Sequence, residues 1–210
     1  QQASASYPFP TLESMAYGIR TGEVVLFTAQ EKVGKTEVLR CIEHNLLKTT
    51  EEAIGIIHLE EMEKRSVQGL LGYELGVPVH LPDSGVSLKD QELALDNLVK
   101  LDSRLHVYSH YGSDDPNAIL DIVRYLGGAA KCKYIFLDHI TMDVTGLESD
   151  DERKLLDYLS TKLATMCHDL DFTLFCISHV NDDGKTRGSR NISKVANLRI
   201  DLSRDLVAEL

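Results

Sequence analysis

Apolar residues in this chain recur at two spacings. Short stretches rich in Val, Ile, Leu and Phe fall near 24–28, 53–59, 105–109, 133–139, 172–179 and 198–202. Each is strand-length, and the nearly continuous run over 53–59 predicts a strand buried on both faces. Between them the spacing changes to the helical one. Val38, Leu39, Ile42, Leu46 and Leu47 predict a helix running to about Thr49, and Val67, Leu70, Leu71 and Leu75 predict one over 62–76. Leu155, Leu156, Leu159, Leu163 and Met166 predict a third over 152–170. Ser87, with Asp90 three residues on, reads as the capped start of a helix reaching about Leu101. Pro116 opens another that Gly127 and Gly128 are expected to end, and a helical turn passes through Val195. Strands alternate with helices throughout. This predicts an α/β fold, a mostly parallel twisted sheet with helices on both faces.

The first strand carries the chemistry. After Val24 to Thr28 comes Ala29-Gln30-Glu31-Lys32-Val33-Gly34-Lys35-Thr36, then a helix. This is the phosphate-loop pattern G-x4-G-K-[ST], with Ala29 at the place where the first Gly is usual. The residue types suit the task. Main-chain N–H groups of the loop and of the helix start, from Ala29 and Glu31 through Lys32, Val33, Gly34 and Glu37, point at phosphate oxygens. Lys35 adds positive charge to the β- and γ-phosphates, and the Thr36 hydroxyl is a hard oxygen ligand for Mg²⁺. The buried run over 53–59 ends in Glu60-Glu61, at the carboxyl end of a strand, where open α/β sheets bind ligands. Beside a phosphate loop, one of these two glutamates becomes a candidate base for activating a water. The segment Lys133-Tyr134-Ile135-Phe136-Leu137-Asp138 has the Walker B form, apolar residues ending in an acid that holds the Mg²⁺ shell. His139 beside it reads as a packing residue. The strand over 172–179 ends in His179, which parallel neighbours would bring near the γ-phosphate.

Composition narrows the partners. The net charge is −11, so any nucleic-acid contact must be local. The compact basic patch is the loop from Asn181 through Lys185, Arg187, Gly188, Ser189 and Arg190. No apolar run approaches the ~20 residues of a membrane span, and residues 1–10 lack the charged start and apolar centre of a signal peptide. Cys41, Cys132, Cys167 and Cys176 form no C-x2-C pair. Buried thiols in a reducing compartment are expected, and a cytoplasmic location with them, the host cytoplasm if the protein is viral. The eight His residues show no metal-ligand spacing and are expected to be mostly structural or exposed. Residues 1–11 read as a linker and 12–210 as one domain.

Taken together, phosphate loop, strand-Leu-Glu-Glu, strand-Leu-Asp-His, strand-Ser-His and a Gly-containing loop before a last strand resemble the RecA-like helicase domain of phage primase–helicases. That group is related to DnaB-type replicative helicases and the mitochondrial Twinkle helicase. The stretch from Ile135 to Leu163 and that from Arg187-Gly188-Ser189 to Arg204-Asp205 carry the resemblance most specifically. It implies a RecA-like P-loop NTPase core that hydrolyses ATP, dTTP or another NTP with Mg²⁺ to move on single-stranded DNA as a homo-oligomeric ring, a hexamer in the full-length protein. It implies phosphate contacts at Lys35 and Thr36 and the general base at Glu60. The Walker B acid would be Asp138, and His179 the sensor linking γ-phosphate to the DNA-contacting loop. Arg204 would pack on the adenine, and 181–190 would hold the DNA backbone. The loop after His179 is shorter than in phage relatives. The chain also stops at Leu210, before the segment that would carry an arginine finger, so the expectation is nucleotide binding with slow turnover and weak ring assembly. Two alternatives stand beside this reading: a RecA-type recombinase or repair ATPase, and a non-catalytic nucleotide-binding scaffold.

Overall fold

A computed structural model of the chain describes residues 2–29, 33–59, 61–100, 104–109, 116–139, 149–179 and 191–203. In chain order the elements are α1 (Pro10–Ala16), β1 (Val24–Ala29), α2 (Lys35–Thr49), β2 (Ala53–His58), α3 (Glu63–Leu75), α4 (Leu88–Val99) and β3 (Leu105–Ser109). They continue with α5 (Pro116–Gly128), β4 (Cys132–Asp138), α6 (Ser149–Leu170), β5 (Thr173–His179), α7 (Asn191–Val195) and β6 (Leu198–Leu202). The six strands form one sheet in the order β3-β2-β4-β5-β1-β6, and every pairing is parallel. Sequence order and spatial order part company at β4, β5 and β1. The carboxyl ends of these three strands therefore lie side by side, with β2 next to β4.

Each strand residue alternates between two layers of core. Val24, Leu26, Ile135, Leu137, Leu174 and Cys176 pack with α5, α6 and α7. Val25, Phe27, Ile54, Ile56, Phe136, Phe175 and Ile177 pack with α1 and α2 and with Leu70 and Leu98. Burial on both faces explains why these strands read as apolar runs. The helix stripes predicted for α2 and α6 point inward, with Leu39, Ile42, Leu46, Leu47, Leu156, Leu159 and Leu163 buried. On α3, Leu70 and Leu71 are buried whereas Leu75 is exposed. The α4 capping box forms: Asp90 N–H donates to Ser87 Oγ at 3.2 Å, and Ser87 N–H to the Asp90 carboxylate at 3.3 Å.

Three segments differ from expectation. The opening residues, read as linker, are built into the fold. Tyr7 is buried against Phe175, the Ser4 N–H donates to the Ile19 carbonyl at 2.7 Å, and Ala5 bridges to Ile19. Helix α1 follows, too short for periodicity to reveal. Helix α5 runs through Gly127 and Gly128 instead of stopping before them. A Cβ on Gly127 would stand 2.6 Å from the Phe172 ring, so the glycine permits close helix packing and does not break the helix. Helix α6 begins at Ser149, three residues earlier than its apolar stripe predicts.

Candidate nucleotide-binding site

Gly34 closes the phosphate loop and caps α2 with φ 89° and ψ 21°. Only glycine adopts this left-handed conformation without cost, so the second Gly of the motif has a backbone reason. Lys35 and Thr36 then form the first turn of α2, both half-buried, where helix geometry turns the main-chain N–H groups outward towards the loop. Ala29 is the last residue of β1 and is fully buried. Its register partner on β5 is His179, so the main chain sets residue 179 beside the end of β1, where the phosphate-loop pattern begins. Asp138 ends β4, and its register partner on β2 is His58.

The motifs predicted from separate stretches meet at Thr36 and Asp138. The Thr36 hydroxyl donates to Asp138 Oδ2 at 2.9 Å across 102 positions of sequence. Asp138 is buried, yet its Oδ1 has no hydrogen-bond partner among the described residues. A buried carboxylate oxygen left open is costly in a folded protein unless something else binds it. The pair offers a hydroxyl and a carboxylate, both hard oxygen donors, beside a lysine and a helix N-terminus. That donor set fits Mg²⁺ bound to a nucleotide phosphate. The peptide between Asp138 and His139 is cis, and His139 is buried. No group of three or more His, Cys, Asp or Glu side chains forms a metal site of its own among the described residues. Glu37 turns its carboxylate to Arg40, and its carbonyl accepts from the Tyr73 hydroxyl at 3.1 Å. Val33 is half-buried at the loop's end. Glu31, Lys32, Glu60, Arg204 and the basic loop Asn181, Lys185, Arg187, Gly188, Ser189 and Arg190 lie outside the described residues, as does the side chain of His179.

A second polar cluster sits one turn further along α2, and sequence reasoning missed it. Arg40 and Glu43, both buried, come from α2, His58 from the end of β2, Ser66 from α3, and Glu61 from between them. Arg40 donates to both carboxylate oxygens of Glu61 and to Glu37. His58 Nδ1 lies 2.5 Å from Ser66 Oγ and 3.3 Å from Glu61, and its Nε2 is 3.7 Å from the fully buried Glu43. Burial alone would lower the His58 pKa, but the Glu43 and Glu61 carboxylates outweigh it and raise it to about 9. The ring is therefore charged at neutral pH; its Nδ1 bonds Ser66, and its Nε2 faces Glu43 at ion-pair distance without a hydrogen bond. Burial pushes Glu61 the other way, and its partners His58 and Arg40 win, holding it down at about 2. One signal was available: Glu43 lies four residues after Leu39 and three before Leu46, on the apolar stripe itself. A charge there needs a buried partner.

A cleft of about 470 Å³ lies between α2 and α3, lined by Arg40, Arg65, Gln68, Tyr73 and His80 among others; neither Lys35, Thr36 nor Asp138 lines it. Cys132, Cys167 and Cys176 are buried and free, and burial pushes their thiol pKa values up, to about 12 for Cys132 and Cys176. No helix among the described residues is long and apolar enough to cross a membrane.

The parallel sheet in this order, with a phosphate loop on β1 and an acid at the end of β4 bonded to the loop's threonine, defines a RecA-like P-loop NTPase. The chain belongs to the DnaB-like helicase C terminal domain family, whose pattern it matches over residues 6–200. Membership of a replicative helicase domain family is what the resemblance implied. It is 26% identical over 193 residues to the DNA helicase/primase of Enterobacteria phage T3, covering 90% of this chain and 34% of that protein. The chain therefore spans about a third of that relative's length. The solved structure of another ATPase domain has the same fold, with a TM-score of 0.74 at 16% identity, covering 98% of this chain and 78% of that one.

Proposed function

We propose that this domain drives a replicative helicase of the phage primase–helicase kind, hydrolysing a nucleoside triphosphate between subunits of a homo-oligomeric ring that moves on single-stranded DNA. The observation that carries the reading is the bond from Thr36 to Asp138, with Asp138 Oδ1 left open beside a helix start. Thr36 and Asp138 would hold Mg²⁺, which when bound neutralises charge on the β- and γ-phosphates. Lys35 and the N–H groups at the start of α2 orient and neutralise the same phosphates. Glu60 takes a proton from the attacking water, and His179 reports the state of the γ-phosphate to the basic loop over 181–190. That loop grips the DNA backbone, the one strongly basic stretch in a chain of net charge −11. Arg204 packs on the nucleobase. Ring assembly and an arginine supplied by a neighbouring subunit belong to this reading, as does a cytoplasmic location, which the free buried thiols suit.

The test is Glu60→Gln, measured as single-stranded-DNA-stimulated ATP turnover. Removing a base of this kind costs roughly 10²–10⁴-fold. Nucleotide affinity should hold, since the phosphate contacts remain. Unchanged turnover would sink the base assignment and favour a scaffold that only binds nucleotide.

A further inference from the structure

We infer that Arg40 and Glu61 form a latch that fixes the main chain on either side of residue 60, which makes both of them positioning residues for the hydrolytic step. The inference rests on the reading of Glu60 as the base. The two neighbours of residue 60 are each anchored, and to different parts of the site. On one side the Leu59 N–H donates to the carbonyl of Asp138 at 2.8 Å, tying it to the end of the Walker B strand. On the other, Glu61 has both carboxylate oxygens on Arg40 Nη2, with His58 Nδ1 and Ser66 Oγ each 3.3 Å away. Two residues of chain span only ~7 Å, so the anchors at 59 and 61 hold both ends of a very short segment.

Arg40 is itself held. Its guanidinium is buried, its Nη1 engages Glu37, and its Nε and Cζ lie against α3 at Gly69. A Cβ on Gly69 would stand 2.7 Å from Arg40 Cζ, so a side chain there would push the guanidinium from this position. Arg40 also belongs to the helix whose first turn carries Lys35 and Thr36. The latch thereby connects the phosphate-binding turn to the segment that bears the base. Catalytic groups misplaced by about 1 Å can lose 10²-fold in rate without any change in substrate contacts. An ion pair serving stability alone would not show this split.

The experiment uses the intact protein with ATP and single-stranded DNA, reading kcat and the affinity for fluorescent ADP. Arg40→Lys keeps the charge but loses the pair of nitrogens that holds Glu61 and Glu37 at once. Gly69→Ala crowds the guanidinium without removing any polar group, and carries the test alone should Arg40→Lys fail to fold. Each is expected to lower kcat about 10–100-fold while the ADP dissociation constant stays within about twofold. In a Glu60→Gln background each should lower the residual rate by less than about twofold, because the group it positions is already gone. The same fold-loss in that background, or lost nucleotide affinity with kcat retained, overturns the latch. Full turnover by Glu60→Gln alone overturns the base reading, and the latch with it, by a result separate from the first two.

Discussion

Two polar clusters hang from the same helix and have opposite designs. At the start of α2, Thr36 and Asp138 make one hydrogen bond and leave a buried carboxylate oxygen unmatched. One turn later, Arg40, Glu61, His58 and Ser66 bind one another, and the fully buried Glu43 lies at ion-pair distance from His58. The first leaves a carboxylate oxygen for a ligand to complete, on the reading proposed above. The second sets its buried charges against one another, although Arg40 Nε, His58 Nε2 and both Glu43 oxygens make no hydrogen bond among the described residues. The difference lies in charge balance.

That contrast can be broken from either side. The largest effect on stability is expected from Glu43→Leu, which strips His58 of its buried counter-charge. Removing one partner of a buried pair costs about 3–5 kcal/mol, to be read from urea midpoints. Adding His58→Phe should recover most of the loss, since an apolar pair of similar volume is often tolerated. Asp138→Asn should act the other way round. Turnover should fall by about 10²–10³-fold, with the urea midpoint little changed, because the open oxygen contributes to ligand binding and not to internal pairing.

A smaller effect follows from pH. The His58 pKa is raised from 6.5 to about 9, so its contribution to stability is fully present below pH 6.5 and is lost as pH rises through 9. Glu61 is lowered from 4.5 to about 2, so its contribution is present above pH 4.5 and is lost as pH falls through 2. Urea midpoints should therefore drop between pH 6.5 and 9, and His58→Gln should flatten that part of the profile. The smallest expected change is Ser87→Ala at the start of α4, far from both clusters. It removes a cap and should cost about 1 kcal/mol with turnover unchanged, a control that separates general destabilisation from loss of either cluster.

Much of the fold was legible from spacing. The strands over 105–109 and 198–202 match β3 and β6 residue for residue, and the other strand boundaries fall within a residue or two. The link between Thr36 and Asp138 was legible as well, because a phosphate loop and a strand ending in Asp name partners by chemistry before any coordinate is known. Helix α1 was not, since seven residues hold too few turns to show a period. The cluster around Arg40 was not, because Arg40, Glu43 and His58 lie in separate stretches and none of them names its partner. The run through Gly127 was missed for a related reason: a glycine stops a helix or lets a neighbour approach, and only Phe172 decides between them.

Local patterns therefore determined the strands, most of the helices and the place of the phosphate-loop pattern between β1 and α2, since periodicity and motif chemistry act over a few positions. The order of strands, the covering of α2 by α3 and the pairing of buried charges were decided only when distant segments packed. Burial and charge balance are properties of which surfaces meet, and a single stretch of sequence does not contain its neighbour.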